Sequence, residues 1–214
     1  MNEKKSGGVN PTLQGKFIVL DGPDGCGKTA QTKLLVDWLK EQGVAVETFR
    51  EPGVTAIGEK IRQILLNPEH IAMTTAAEVM LYMAARVQLW QEKIKPALKE
   101  NKCVVVDRWL SSTCAYQGFA GGLTMEAVTK MAEDCLERPW PDLTIILDAD
   151  SETAAKRLKK TLDRMEQKGD GYHKKVRKGF LELAKGRSDF VVIDSGDDIE
   201  AVHKKITKTI EKMF

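Results

Sequence analysis

Short apolar runs rich in β-branched residues alternate along the chain with stretches whose apolar residues recur every three or four positions. The first kind predicts strands at Phe17 to Asp21, Val44 to Arg50, Cys103 to Asp107, Leu143 to Leu147 and Phe190 to Ile193. The second predicts a helix that starts at the end of a glycine-rich loop and runs through Gln31 to Glu41, with Leu34, Leu35, Trp38 and Leu39 on one face and Gly43 as its stop. Further helices are expected from Ala56 to Leu66, Thr75 to Lys99, Thr124 to Glu137, Ser151 to about Asp163, His173 to Ala184 and Asp198 to Met213. Short buried strands separated by helices imply an α/β fold with a five-stranded parallel sheet covered on both faces. Residues 1–15, polar and Gly-rich without a period, read as a disordered tail, and residues 16–214 as a single domain.

Charge adds an exclusion. With 33 Lys and Arg against 31 Asp and Glu, no global field points to nucleic acid or an anionic membrane, so an anionic ligand must be gripped locally. The four cysteines form neither a C-x-x-C pair nor a metal-ligand rhythm and read as reduced thiols. No apolar run approaches the roughly 20 residues of a membrane span, and no signal-peptide core is visible at the N-terminus. The expectation is a cytoplasmic protein.

The loop after the first strand carries the chemistry. "GPDGCGKT", residues 22–29, fits G-x-x-x-x-G-K-[ST] between a strand and an amphipathic helix, the context in which that pattern wraps nucleotide phosphates. Gly22, Gly25 and Gly27 leave the backbone N–H groups free to converge on an anion. Lys28 is placed to reach the β and γ phosphates, and the Thr29 hydroxyl to ligate Mg2+. A GTPase of this size should carry N-K-x-D; the sole "NK", Asn101-Lys102, runs into a strand. Cys26 reads as a small loop residue, since no His lies near it in sequence to activate it.

Ligands of such a sheet sit beyond the carboxyl ends of its strands. Arg50-Glu51-Pro52-Gly53 follows the second strand and Asp107-Arg108 ends the third. Asp107 is placed to hold Mg2+ as a Walker-B acid does, and Arg108 to offer a planar fork to a second phosphate.

In order along the chain, "GPDGCGKTAQ" (22–31), "REPGVTAIGEKIR" (50–62), "LYMAARVQ" (81–88), "DRWLSSTCAYQG" (107–118), "PDLTIILD" (141–148), "DRMEQ" (163–167) and "VRKGFLELA" (176–184) resemble the thymidylate kinase family, which transfers the γ-phosphate of ATP to dTMP. The resemblance spans about residues 16–214 and implies the P-loop NTPase fold with a small lid, here about residues 157–171. It implies ATP binding by Gly22, Pro23, Asp24, Gly25, Cys26, Gly27, Lys28, Thr29 and Ala30. On the acceptor side it implies Arg108 and Arg62 on the dTMP phosphate, Arg86 on a thymine carbonyl and Tyr82 stacked on the base. Thr113 and Gln117 fall at the pyrimidine edge, and Tyr116 under the deoxyribose. Asp24 approaches the acceptor sugar or the metal, and Glu51 lies near the acceptor phosphate through water, Mg2+ or an Arg partner. By analogy with the family the protein is a homodimer.

The family divides by whether the catalytic arginine sits in the phosphate loop or the lid. Gly25 occupies the loop position, so the lid type is implied, with Arg164 the first candidate, Arg157 the second, and Lys159 and Lys160 assisting. Three residues depart from the pattern: Val54 for the second glycine of R-E-P-G-G-T, Trp109 for Tyr, His or Phe, and Tyr82 for Phe. A β-branched Val54 excludes a positive φ unless the backbone is strained. Two other readings share the phosphate loop. A deoxynucleoside kinase would need a carboxylate base where this chain has an arginine clamp, and a nucleotide-dependent switch would lack a second nucleotide pocket.

Overall fold

The computed structural model describes residues 11–157 and 163–214. In chain order the elements are β1 Phe17–Asp21, α1 Lys28–Glu41, β2 Val46–Arg50, α2 Ala56–Leu66, α3 Thr75–Leu89, α4 Lys95–Lys99, β3 Cys103–Asp107, α5 Leu110–Thr113, α6 Met125–Cys135, β4 Leu143–Asp148, α7 Ser151–Arg157, α8 Asp170–Ala184, β5 Phe190–Asp194 and α9 Ile199–Met213. All strand pairs are parallel and the order is β2-β3-β1-β4-β5.

Successive side chains of a strand point to opposite faces, and both faces of the central strands are covered. Ile18 and Leu20 of β1 pack with Val105, Ile145 and Leu147 against Leu35 and Leu39 of α1 and Val202, Ile206 and Ile210 of α9. Phe17 and Val19 join Val104 and Val106 against Val79, Met83 and Leu89 of α3 and Val128 and Ala132 of α6. Each such side chain contributes about 1.5–3 kcal/mol over its exposed state, so the central strands fix where their loops emerge. The connection leaving β1 runs to one side of the sheet and that leaving β3 to the other. This places a crevice at their carboxyl ends.

Several boundaries differ from the sequence expectation. Residues 11–15 belong to the folded body: Pro11–Leu13 form a 3-10 turn, Leu13 is buried in the core, and Gly15 N–H donates to Asn101 O. Residues 1–10 of the expected tail lie outside the described residues. The predicted helix over 75–99 is continuous but passes through a π-helical turn, Trp90–Ile94, between α3 and α4. After β3 the short α5 runs into a second π-helical segment, Cys114–Ala120, a stretch for which no helix was expected. Of the expected lid, residues 158–162 lie outside the described residues. Residues 163–169 form turns, and α8 begins at Asp170, ahead of the expected His173. Val54 takes the strained option, with φ 74°. Its N–H donates to Glu59 Oε1 at 2.7 Å, the same oxygen that receives Arg50 Nη2.

Candidate active site

A phosphate cradle needs open backbone donors. Helices α2, α3, α6 and α9 are each capped by a side chain, from Thr55, Thr74, Thr124 and Asp198. Helix α1 begins after Gly27, at φ 95°, with no side-chain cap, so its first N–H groups remain available to an anion. Lys28 is buried and bends back over the loop, donating from Nζ to Gly22 O at 3.0 Å and Pro23 O at 2.6 Å. Gly25 is required sterically as well as by its φ of 77°: a Cβ there would lie 2.3 Å from Ala154 O. Cys26 is buried, and burial pushes its thiol up from the usual range despite the charge of nearby Lys28. This disfavours the thiolate that a nucleophile needs.

The turn that carries Arg108 is anchored on Asp21, the last residue of β1, which is fully buried. The Asp21 carboxylate accepts from Gly22 N (2.8 Å), Trp109 N (3.2 Å), Ser112 N (2.9 Å), Ser111 Oγ (2.5 Å) and Ser112 Oγ (2.6 Å). Sequence reading missed this role; an acid one residue before a phosphate loop, facing two serines after the third strand, was the available signal. Arg108 itself has φ 70°, a strained position for a non-glycine residue. Its Nη1 donates to Gly22 O and Ser112 Oγ, and its Nη2 to Asp24. Tyr116 Oη donates to the other Asp24 oxygen at 2.7 Å. Burial alone would raise the Asp24 pKa, but the charges of Arg108 and Lys28 and the Tyr116 hydrogen bond outweigh it and hold the group below the usual carboxylate value.

The side of the site expected to take the acceptor is built on α2 and α3. Arg62 Nη1 donates to Pro52 O at 2.9 Å. Arg86, 1% exposed, donates from Nε and Nη2 to Glu51 Oε2 at 2.9 and 2.7 Å and from Nη2 to Thr113 Oγ1 at 2.8 Å. Glu51 and Arg86 thus form a buried ion pair. Burial pushes the Glu51 carboxyl up to about 7 against the pull of that guanidinium. Two buried polar atoms here have no hydrogen-bond partner, Glu51 Oε1 and Gln117 Nε2. Trp109 lies wholly inside, with its ring 5.3 Å from the Arg86 guanidinium and its Nε1 donating to Pro139 O, so its extra bulk is absorbed by the core.

These parts face one cleft of about 620 Å3. Its walls include Asp24, Gly25, Gly27, Lys28, Thr29 and Ala30 on one side and Glu51, Arg62, Tyr82, Arg86, Arg108, Thr113, Tyr116 and Gln117 on the other. Gly22, Pro23 and Cys26 lie behind the wall. Thr29 Oγ1 donates to Asp107 Oδ2 at 2.8 Å. A hydroxyl and a carboxylate are the hard donors that Mg2+ takes in addition to water and phosphate oxygens, so the pair fits that ion. Among the described residues no group of three acidic, His or Cys side chains forms a closed metal cage.

The two candidate lid arginines lie in different surroundings. Arg164 is absent from the cleft wall: it is 6% exposed and its Nη2 pairs with Glu78 of α3, itself 1% exposed. Arg157 is exposed, lines the cleft, and donates from Nη1 to Ser195 O at 3.0 Å. Lys159 and Lys160 lie outside the described residues. Asp163, Met165 and Glu166 also line the cleft, and none of them was singled out in the sequence.

A parallel sheet of this order, with an uncapped phosphate loop facing a second, arginine-lined pocket across one cleft, defines a P-loop kinase of small phosphorylated acceptors. The family model described as Thymidylate kinase matches residues 20–206. The chain is 43% identical over 202 residues to the thymidylate kinase of Caldanaerobacter subterraneus subsp. tengcongensis, covering 94% of this chain and 97% of that protein. It is 40% identical over 200 residues to the thymidylate kinase of Symbiobacterium thermophilum, covering 92% and 94%. The crystal structure of thymidylate kinase from Ehrlichia chaffeensis superposes with a TM-score of 0.76 at 29% identity, covering 92% of this chain and 99% of that one. The chain belongs to the thymidylate kinase family.

Proposed function

We propose that the protein transfers the γ-phosphoryl group of ATP to dTMP, giving dTDP and ADP. The observation that carries this reading is the single cleft in which the phosphate loop faces Arg62, Arg86, Arg108 and the unpaired Gln117 Nε2. The α1 N-terminus and Lys28 hold the donor phosphates. Arg108 and Arg62 hold the acceptor phosphate in line with them, Tyr82 stacks on the base, and Gln117 with Arg86 and Thr113 reads its edge. Tyr116 lies under the deoxyribose, and Asp24 keeps Arg108 and Tyr116 in place. Phosphoryl transfer spreads charge over the migrating group, so the chain's task is to position both ends and surround the oxygens with cations. Arg157 is the lid cation on the cleft wall. Thr29 and Asp107 are the residues that would hold Mg2+, which when bound neutralises charge on the donor phosphates.

The acceptor assignment is tested with a panel of dTMP, dUMP, dCMP, dGMP, AMP and thymidine in an ATP-coupled assay. Fast ADP production with dTMP is expected. Turnover of thymidine without turnover of dTMP would make the protein a nucleoside kinase, and no response to any acceptor would make it a switch.

A homodimer through α2 and α3 is supported by the exposed Ile57, Ile64 and Met80 on those helices. Sedimentation velocity of the wild type and of Met80→Glu checks it: a dimer that dissociates in the variant is expected. A cytoplasmic location is in keeping with the described residues, none of whose helices is long and apolar enough to cross a membrane.

A further inference from the structure

We propose that Glu78 and Arg164 are a positioning pair that locks the turn at residues 163–166 onto the acceptor-side helices and so sets the acceptor end of the cleft. The guanidinium spans two elements. Its Nη2 bonds Glu78 in the first turn of α3, and its Nε donates to Leu65 O at 2.7 Å, while the Arg164 backbone N–H donates to Leu66 O at 3.2 Å. Leu65 and Leu66 end α2, where backbone carbonyls have no partner within the helix and a cation is favoured. The second Glu78 oxygen faces Lys168 Nζ at 3.7 Å.

The pair sits directly behind the acceptor residues. Glu78, Tyr82 and Arg86 follow one another at i, i+4 and i+8 on one face of α3, and Leu65 and Leu66 stand one turn beyond Arg62 on α2. In front of it, Asp163 and Met165 flank Arg164 in sequence and line the cleft. The turn is rigid in itself: Asp163 N–H donates to Glu166 Oε2 at 2.9 Å, and Met165 and Glu166 N–H donate to Asp163 Oδ1 at 2.8 and 2.9 Å. Arg164 is what joins this unit to α2 and α3. With Nε and Nη2 held by Leu65 O and Glu78, and its side chain off the cleft wall, it acts on substrate through its neighbours.

This assignment rests on the acceptor reading above, and the test keeps the two apart. Steady-state kinetics with ATP and dTMP are measured for the wild type, Glu78→Gln, Arg164→Gln, Arg164→Lys and the Glu78→Gln/Arg164→Gln double variant. If the wild type turns over another acceptor of the panel instead, the acceptor reading fails and the same comparison is made on that acceptor. Each glutamine variant should raise the acceptor KM about tenfold, with kcat at saturation within about threefold and the ATP KM unchanged. The double variant should be no worse than either single one, because both remove the same contact. Arg164→Lys should recover part of the loss, keeping the charge without the fork.

Loss of kcat by orders of magnitude in Arg164→Gln with Glu78→Gln unaffected would make Arg164 a catalytic cation and overturn the proposal. An unchanged acceptor KM in Glu78→Gln would do the same. Hydrogen exchange on the wild type needs no variant to fold: saturating acceptor should slow the amides of residues 164–166, and unchanged exchange there contradicts the proposal.

Discussion

Glu51 takes both Nε and Nη2 of Arg86 on one carboxylate oxygen, leaving Oε1 buried and unpaired. Burial is the dominant influence on this carboxyl, raising it from 4.5 to about 7 against the pull of Arg86. Between those values the folded chain holds a proton that the unfolded chain has released. The stabilisation is therefore fully present below about pH 4.5 and lost as pH rises through 7. A shift of this size corresponds to a contribution on the order of 3 kcal/mol. Glu51→Gln cannot titrate, so the Tm of the variant minus that of the wild type should rise from pH 5 to pH 8. A difference that stays flat over that range contradicts the raised pKa.

Arg108→Ala should raise the dTMP KM about 10- to 100-fold, the loss expected for a charge-assisted hydrogen bond to phosphate. It also releases Asp24 from its main counter-charge. The ATP KM should move far less, since Lys28 and the α1 N-terminus keep their geometry. Initial-rate measurements with each substrate varied in turn decide this, and equal effects on both would place Arg108 on the donor side.

Arg157→Ala should lower kcat about 10²- to 10³-fold while leaving the dTMP KM within about threefold, as removal of one cation from a developing charge does. Single-turnover kinetics separate that loss from slow product release. An unchanged rate would shift the catalytic role to a lysine of the same segment.

Much of this site was legible in the sequence because strand ends are legible. Five apolar runs located the sheet, and with it the loops that carry Lys28, Glu51 and Arg108. Direction was not. Arg157 in "KRLKK" and Arg164 in "DRMEQ" are arginines of one charged stretch, and only packing decides that one guanidinium turns inward to Glu78 while the other stays on the cleft wall. Val54 shows the reverse limit. Its residue type argued against φ 74°, yet the hydrogen bond from its N–H to Glu59 holds it there. Asp21 was hidden for another reason: its hydrogen bonds join residues some 90 positions apart, and no local pattern reports them.

Gly25 is where residue type and backbone most clearly part company. A sequence comparison invites Gly25→Arg, which would place a guanidinium in the phosphate loop as the other branch of the family does. The backbone forbids it at the first carbon. At φ 77° a Cβ would stand 2.3 Å from Ala154 O and 2.9 Å from Ala154 C, both main-chain atoms of α7 that no side-chain rotation can move aside. The left-handed conformation costs a non-glycine residue about 1 kcal/mol, and forcing the helix back adds about 1–3 kcal/mol. Since α7 carries Arg157, its displacement also moves the cation proposed for the lid. Gly25→Ala should therefore lower both Tm and kcat. Gly25→Arg should not rescue Arg157→Ala, and the double variant should be no more active than Arg157→Ala alone. Recovered activity in that double variant would show that the loop and α7 separate readily, and that the close packing of Gly25 on Ala154 does not confine the catalytic cation to the lid.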